Sequence, residues 1–167
     1  MGRLYRYVGP ATIRAEAAAS PSGAVIAARS DLVAWIAAHR AQLAGAGFSV
    51  TFTVTPDHAL RIAPRRSEHI ACAGGSDVIA AGELVLAADA RVVEATNQST
   101  GFCPEPTCWI AVAAALDAAG VPRPRELTHR FVFRRCPACG ERNIVKDEVY
   151  ACALCDAALP EAWNFDT

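Results

Sequence analysis

From Cys136 the chain reads CPACGERNIVKDEVYACALC, which is two C-x2-C pairs, Cys136 with Cys139 and Cys152 with Cys155, separated by twelve residues. Each pair forms a tight knuckle that aims two thiolates at one point. The twelve residues between are enough for a short hairpin that brings the knuckles face to face. Four sulfurs at tetrahedral corners suit Zn(II), so the spacing predicts a zinc ribbon with Cys136, Cys139, Cys152 and Cys155 as ligands and zinc as cofactor. Two disulfides or a redox C-x-x-C are the competing readings, but a redox pair opens a helix after a core strand and does not recur at ribbon spacing. Iron fits the same cage. The hairpin arms are read as Asn143-Ile144-Val145 and Val149-Tyr150-Ala151. So small a module has almost no apolar core, and metal binding, worth about 10–16 kcal/mol in comparable peptides, is what should fold it.

The remaining cysteines stand in two short stretches, HIAC with His69 and Cys72, and CPEPTC with Cys103 and Cys108. Together they offer one imidazole and three thiolates, a candidate second zinc set. A zinc deaminase needs H-x-E and then P-C-x-x-C. Here the histidine is followed by Ile70-Ala71 and the cysteines are five apart, which excludes that chemistry. Nucleophilic chemistry is the other reading. Cys108 falls in the first turn of a predicted helix, where backbone N–H groups favour a thiolate, and Cys103 lies just before it with His69 as a candidate base. Against both stands the ordinary fate of a cytosolic cysteine, burial as a small apolar group. Glu83, next to Gly82, is either a buried acid or a solvated carboxylate on a half-exposed strand. An enzyme built here would use His69 as acid or base, with Cys103 or Glu83 assisting and Asn97 and Ser99 orienting a polar substrate.

Bulk properties narrow the partners. The formal net charge of −1 over 167 residues gives no whole-molecule field toward nucleic acid or an acidic membrane, so such binding needs a local patch. Arg123, Arg125, Arg130, Arg134, Arg135 and Arg142 make one on the approach to the ribbon, and a nucleic-acid backbone is one partner it could take. A solvated face or a protein docking surface are the others. The start, MGRLYRYVGP, lacks an apolar core of signal-peptide length and no later window reaches a membrane span. A cytoplasmic protein with no membrane partner is expected, with thiols kept reduced.

The elements that must position these groups are read from periodicity. The alanine-rich run to Ala19 suggests one or two helical turns, broken at Ser20 to Gly23. Ser30 is a predicted N-cap for a helix whose face carries Leu32, Val33, Ile36 and Leu43 and which ends in Gly45 to Gly47. FSVTFTV, Phe48 to Val54, alternates as a strand with one buried face. ALRIA is its partner strand, and VIAAGELVL with RVVEAT reads as a second hairpin pivoting near Asp89. Thr107 is placed as the cap of a helix carrying Trp109, Val112, Ala113 and Leu116, stopped at Gly120. VPRPRE reads as a linker, with the boundary near Pro124: an α+β domain over 1–124, then ribbon and tail over 125–167. The expected fold is α+β, a small antiparallel sheet covered by two helices, plus the ribbon, with Trp163 and Phe165 folding back over it.

Three stretches, RIAPRRSEHIACAGGSDVIAAGEL, NQSTGFCPEP and FVFRRCPACGERNIVKDEVYACALCDAALPEAWNF, together resemble a bacterial family of hypothetical proteins with a zinc-ribbon tail, and the likeness spans most of the chain. In that family's pattern CPEP is followed by residues other than cysteine. The resemblance thus counts against Cys108 as a ligand and favours His69, Cys72 and Cys103. More distantly, HIACAGGSDVIAAGE followed by N-x-S is similar to a module of plant IQ-motif proteins and bacterial toxin tails, typically H-S-S-x-x-AGG and S-G-H-Y-x-P. The correspondence falls on His69, Gly74, Gly75, Gly82, Ser99, Phe102 and Pro104. The pattern's later histidine and tyrosine are Gly101 and Phe102 here, so part of its polar chemistry is missing. The resemblance implies a shared site around His69 and the NQST loop. The expectation is a zinc-binding adaptor or binding protein with a cleft there for a protein partner or small polar ligand, the small enzyme being the alternative.

Overall fold

FSVTFTV occupies the middle of the molecule, and its alternation sets the register of everything beside it. The computed structural model describes residues 2–43 and 48–166. In chain order the elements are α1 (Ala11–Ala17), β1 (Ala24–Val25), α2 (Arg29–Leu43), β2 (Phe48–Val54), β3 (Leu60–Pro64), α3 (His69–Cys72), β4 (Ala80–Leu86) and β5 (Val92–Thr96). A single 3-10 turn (Pro106–Cys108) then runs into α4 (Trp109–Ala118), followed by β6 (Val132–Arg135) and β7 (Arg142–Val145). Among the described residues the first five strands form one antiparallel sheet in the order β1-β3-β2-β4-β5. Phe52 lies opposite Ile62 on one side and Gly82 on the other, and Val50 opposite Leu84. With Val54 these apolar side chains are buried on one face. The fold is α+β.

The other face is not left to water, contrary to the expectation of one buried face. Thr51 and Thr53 are as buried as their apolar neighbours. The Thr51 hydroxyl donates to Arg65 O at 3.1 Å and that of Thr53 to Cys72 Sγ at 3.6 Å. The turn before α3, and α3 itself, roof this face and accept the hydroxyl protons that solvent would otherwise take. On the apolar side α4 lies against β2, β3 and β4, and α2 adds Leu32, Trp35, Ile36 and Leu43 to the same core.

Helix ends differ from the sequence reading in informative ways. Ser30 lies inside α2 and caps nothing. Asp31 Oδ2 instead reaches back to accept the N–H groups of Ala27 and Ala28 at 2.9 and 2.8 Å, the acidic half of a capping box, which starts the helix earlier and turns Trp35 inward in place of exposed Val33. The predicted stop at Gly45 to Gly47 lies outside the described residues. Thr107 is not a cap either: Pro106 opens the 3-10 turn, and α4 has no side-chain cap at its start. Ala115 replaces Ala113 in the stripe that α4 buries. The end at Gly120 is as read: φ is +67°, Val121 N–H donates to Leu116 O and Gly120 N–H to Asp117 O, a Schellman closure.

β7 pairs with β6, not with Val149 to Ala151, so the hairpin closes around the first cysteine knuckle with Arg135 opposite Arg142. The residues after β7 turn tightly instead: Lys146 bridges Val149, with Asp147 and Glu148 both at positive φ, as a type I′ turn requires. This C-terminal module is bound to the sheet by several contacts. Thr128 N–H donates to Ala95 O at 2.8 Å, and the Trp163 indole N–H donates to Cys103 O at 2.8 Å. Trp163 and Phe165 fold back to the joint, Phe165 against Phe133 and Cys103, Trp163 edge-on to Tyr5.

Candidate metal centre and the loop beside it

The two cysteine knuckles are the same turn used twice. Cys136 N–H donates to Glu141 O at 2.8 Å and Gly140 N–H to Cys136 O at 2.9 Å. Sixteen residues later Cys152 N–H donates to Ala157 O at 2.8 Å and Asp156 N–H to Cys152 O at 2.9 Å. Both turns pass through a left-handed residue at the same place, Gly140 at φ +79° and Asp156 at +60°. The consequence is four converging sulfurs, all within 4.8 Å of one another. Cys136 and Cys155 are 3.6 Å apart, as are Cys139 and Cys152. An ion bound tetrahedrally at ~2.3 Å sets its sulfur ligands ~3.8 Å apart, so the cage has the size of a metal-thiolate site. The thiols are free rather than paired in disulfides.

Asn143 supports the cage from inside the hairpin. It is 4% exposed, donates to Cys152 Sγ at 3.4 Å and accepts the Ala153 N–H at 2.9 Å. Leu154 N–H donates to the same sulfur at 3.4 Å. Burial pushes the Cys152 thiol up, but the N–H groups of Leu154 and Cys155 and the Asn143 amide outweigh it and bring the thiol down to about 6. Cys136 is lowered as well, by the backbone N–H groups of Cys139 and Ala138, while the neighbouring sulfurs push Cys139 and Cys155 up. Donors aimed at sulfur favour the thiolate that a metal needs. Asn143 was not singled out by its sequence; the signal it carries is a lone amide at the head of the apolar pair Ile144-Val145.

The second candidate set is not brought together. Among the described residues the cage is the single group of three or more histidine, cysteine or carboxylate ligands whose atoms converge. Cys72 lies against the sheet between Thr53 Oγ1 and Arg61 O, both 3.6 Å from its sulfur. Cys103 packs with Phe133 and Phe165 and donates to Thr100 O at 3.4 Å. Cys108 joins the main core. Burial pushes Cys72 up to about 11 and both Cys103 and Cys108 up to about 12. For Cys108 this overrides the helix start expected to acidify it, because desolvation disfavours the charged form more than one turn of N–H groups favours it.

His69, Glu83 and Cys103 likewise form no common group. The His69 ring has Nε2 2.9 Å from Gly82 O, and burial lowers its pKa, so the ring is a neutral donor to that carbonyl. Glu83 is half-buried on β4, in register with Thr51 and Thr96. Asn97 does not face a substrate. Its Nδ2 donates to Pro104 O at 2.9 Å and Phe131 O at 2.8 Å, and its Oδ1 accepts the Phe131 N–H at 2.8 Å. It clamps the NQST loop, the CPEP loop and the strand leading to the cage. Ser99 is buried with an Oγ that has no partner among the described residues.

The chain matches no protein-family model, no curated protein and no solved structure. Geometry alone therefore bears on what the site can do. The arginine patch is largely spent on the protein itself. Arg134 is buried against Pro160 O and Glu161 O, Arg123 pairs with Asp117 at 2.7 Å, and Arg130 pairs with Glu126. Arg135 lies over Phe165, and Arg142 donates to Thr100 O. Two of the six are thus charge-paired and a third is buried, while Arg125, Arg135 and Arg142 are in no ion pair among the described residues. What does open to solvent is a groove of about 700 Å³ between the NQST loop and the cage hairpin. Thr100, Cys103 and Phe133 form its floor and Arg142, Lys146 and Leu154 its rim, with Leu154 69% exposed. No helix among the described residues is long and apolar enough to cross a membrane.

Proposed function

We propose that the protein is a cytoplasmic, noncatalytic binding protein in which one zinc ion folds the C-terminal hairpin as a ribbon, and that the groove between ribbon and NQST loop takes an extended segment of a partner protein. The sulfur cage carries the zinc half of this reading: its spacing fits tetrahedral thiolate coordination, and a closed four-sulfur site leaves no open position for chemistry on the ion. A reducing cytoplasm is the setting in which such thiolates stay available. The groove carries the other half. Exposed Leu154 beside Lys146 and Arg142, two cations against the one carboxylate of Glu141, suits an acidic segment with one apolar residue, in which the side chain covers Leu154 and the carboxylates meet the cations. The raised thiols of Cys72, Cys103 and Cys108 and the engaged His69 ring favour binding over catalysis.

Two measurements test it. Metal analysis of the purified chain is expected to return one zinc per chain; a metal-free native protein overturns the reading. A peptide-display selection on the zinc-loaded protein is expected to enrich acidic segments with a single large apolar residue, and Lys146→Glu with Leu154→Asp to abolish their binding. Peptides that bind the substituted or chelated protein equally well would remove the groove from the account.

A further inference from the structure

A second cavity, built entirely from the sheet domain, is used by nothing described so far. It lies between α1, α2 and the turn from β3 to α3, and holds about 610 Å³, within the range of small-molecule sites. Ile13 and Ala17 of α1, Trp35 of α2 and Ile62 of β3 form apolar walls. The Trp35 indole and the His39 imidazole stack on each other at 4.0 Å and 17°, with Trp35 7% exposed and His39 the more open of the two rings. His39 Nδ1 is 2.8 Å from Trp35 O, one turn back along the helix. That bond uses Nδ1–H and holds the ring against the indole.

The charged groups decide what fits. Glu16 on α1 and Glu68 just before α3 come from separate elements and both line the cavity, against one guanidinium, that of Arg66. Neither glutamate is in an ion pair among the described residues. A phosphate or carboxylate ligand would meet two carboxylates. A protonated amine meets both carboxylates beside the aromatic pair.

We propose that this cavity binds a compact aromatic amine in its protonated form, the ring extending the Trp35–His39 stack and the ammonium between Glu16 and Glu68. The site does not depend on the ribbon groove, since none of its walls comes from the C-terminal hairpin.

Tryptamine, neutral indole and indole-3-acetate share one ring and differ in charge, so protein-observed NMR titration of the full zinc-loaded chain with each separates shape from charge. Tryptamine is expected to shift amides at 13–17, 35–42 and 66–71, to bind at least about tenfold more tightly than indole-3-acetate, and to lose most of that preference in high salt, as exposed charges do. In the Glu16→Gln, Glu68→Gln double variant the preference should fall to about onefold while indole binding is unchanged, since only the charges are removed. Both glutamates are exposed, and an unchanged wild-type amide spectrum elsewhere confirms the fold. Equal affinity for all three ligands, shifts that map elsewhere, or an undiminished preference in the double variant would overturn the proposal.

Discussion

Replacing Asn97 with alanine should detach the C-terminal module from the sheet more effectively than any single change on the ribbon surface. Asn97 is fully buried, and its amide makes three hydrogen bonds of 2.8 to 2.9 Å, to Pro104 O and to both backbone groups of Phe131. Each neutral hydrogen bond is worth about 1 kcal/mol net, and a buried group left without a partner costs about 1–3 kcal/mol. Pro104 is buried, so its carbonyl falls in the costly class; Phe131 is half-buried and water can reach it. The expected loss is about 3 kcal/mol, which for a chain of this size lowers the melting temperature by roughly 6–12 °C. Urea unfolding of the zinc-loaded protein measures the first and a thermal scan the second. Asn97→Asp is the sharper control, because it keeps the shape and one acceptor but sets a carboxylate oxygen against two carbonyls. If the aspartate variant is as stable as wild type, or the alanine variant loses less than about 1 kcal/mol, the clamp reasoning is wrong.

Three further outcomes are expected. A Cβ on Gly82 would lie 1.9 Å from Thr96 O, so Gly82→Ala must push β5 off β4 and cost about 3 kcal/mol in denaturant unfolding; a loss within about 1 kcal/mol would mean the strands part easily. Burial holds His69 below its ordinary range, so near pH 6.5 the unfolded chain takes up a proton that the folded one refuses. Its contribution is therefore complete above about pH 6.5 and is lost as pH falls toward the folded value, and the difference in stability between wild type and His69→Gln, followed from about pH 7.5 to about pH 5, should shrink on acidification. A difference independent of pH would refute the buried-neutral assignment. Chelation, or Cys152→Ser, should strip amide protection from 132–159 while β2 and β4 keep theirs, since metal rather than core holds the hairpin; hydrogen exchange reads both regions at once, and unaltered protection in the hairpin would count against a structural ion.

What could be read from the residues alone follows from how local each signal is. The cage was legible because a C-x2-C knuckle fixes the direction of its own two sulfurs, and only the closing of one hairpin had to be assumed. β2, β3, β4 and β5 were legible because period-two alternation is also local. The second buried face was not: Thr51 and Thr53 look solvent-facing until the carbonyls of Arg65 and Ser67 and the Cys72 sulfur arrive from another part of the chain to take their protons. The same limit dissolved the second metal set, since H-x2-C and C-x4-C say nothing of which core each sulfur enters. It also misassigned Asn97, whose partners are 7 and 34 residues away. A polar side chain in a loop that looks ready for a ligand is, without those distant partners, indistinguishable from one that ties loops together. The six arginines have the same limit: closeness in sequence says nothing of which ones the fold pairs with Asp117 and Glu126 or buries against the carbonyls of Pro160 and Glu161. The polar residues between Asn97 and Arg142 thus act first as the joint between sheet and hairpin. The groove beside that joint has its floor on one side of it and its rim on the other, so its shape depends on both the clamp and the cage.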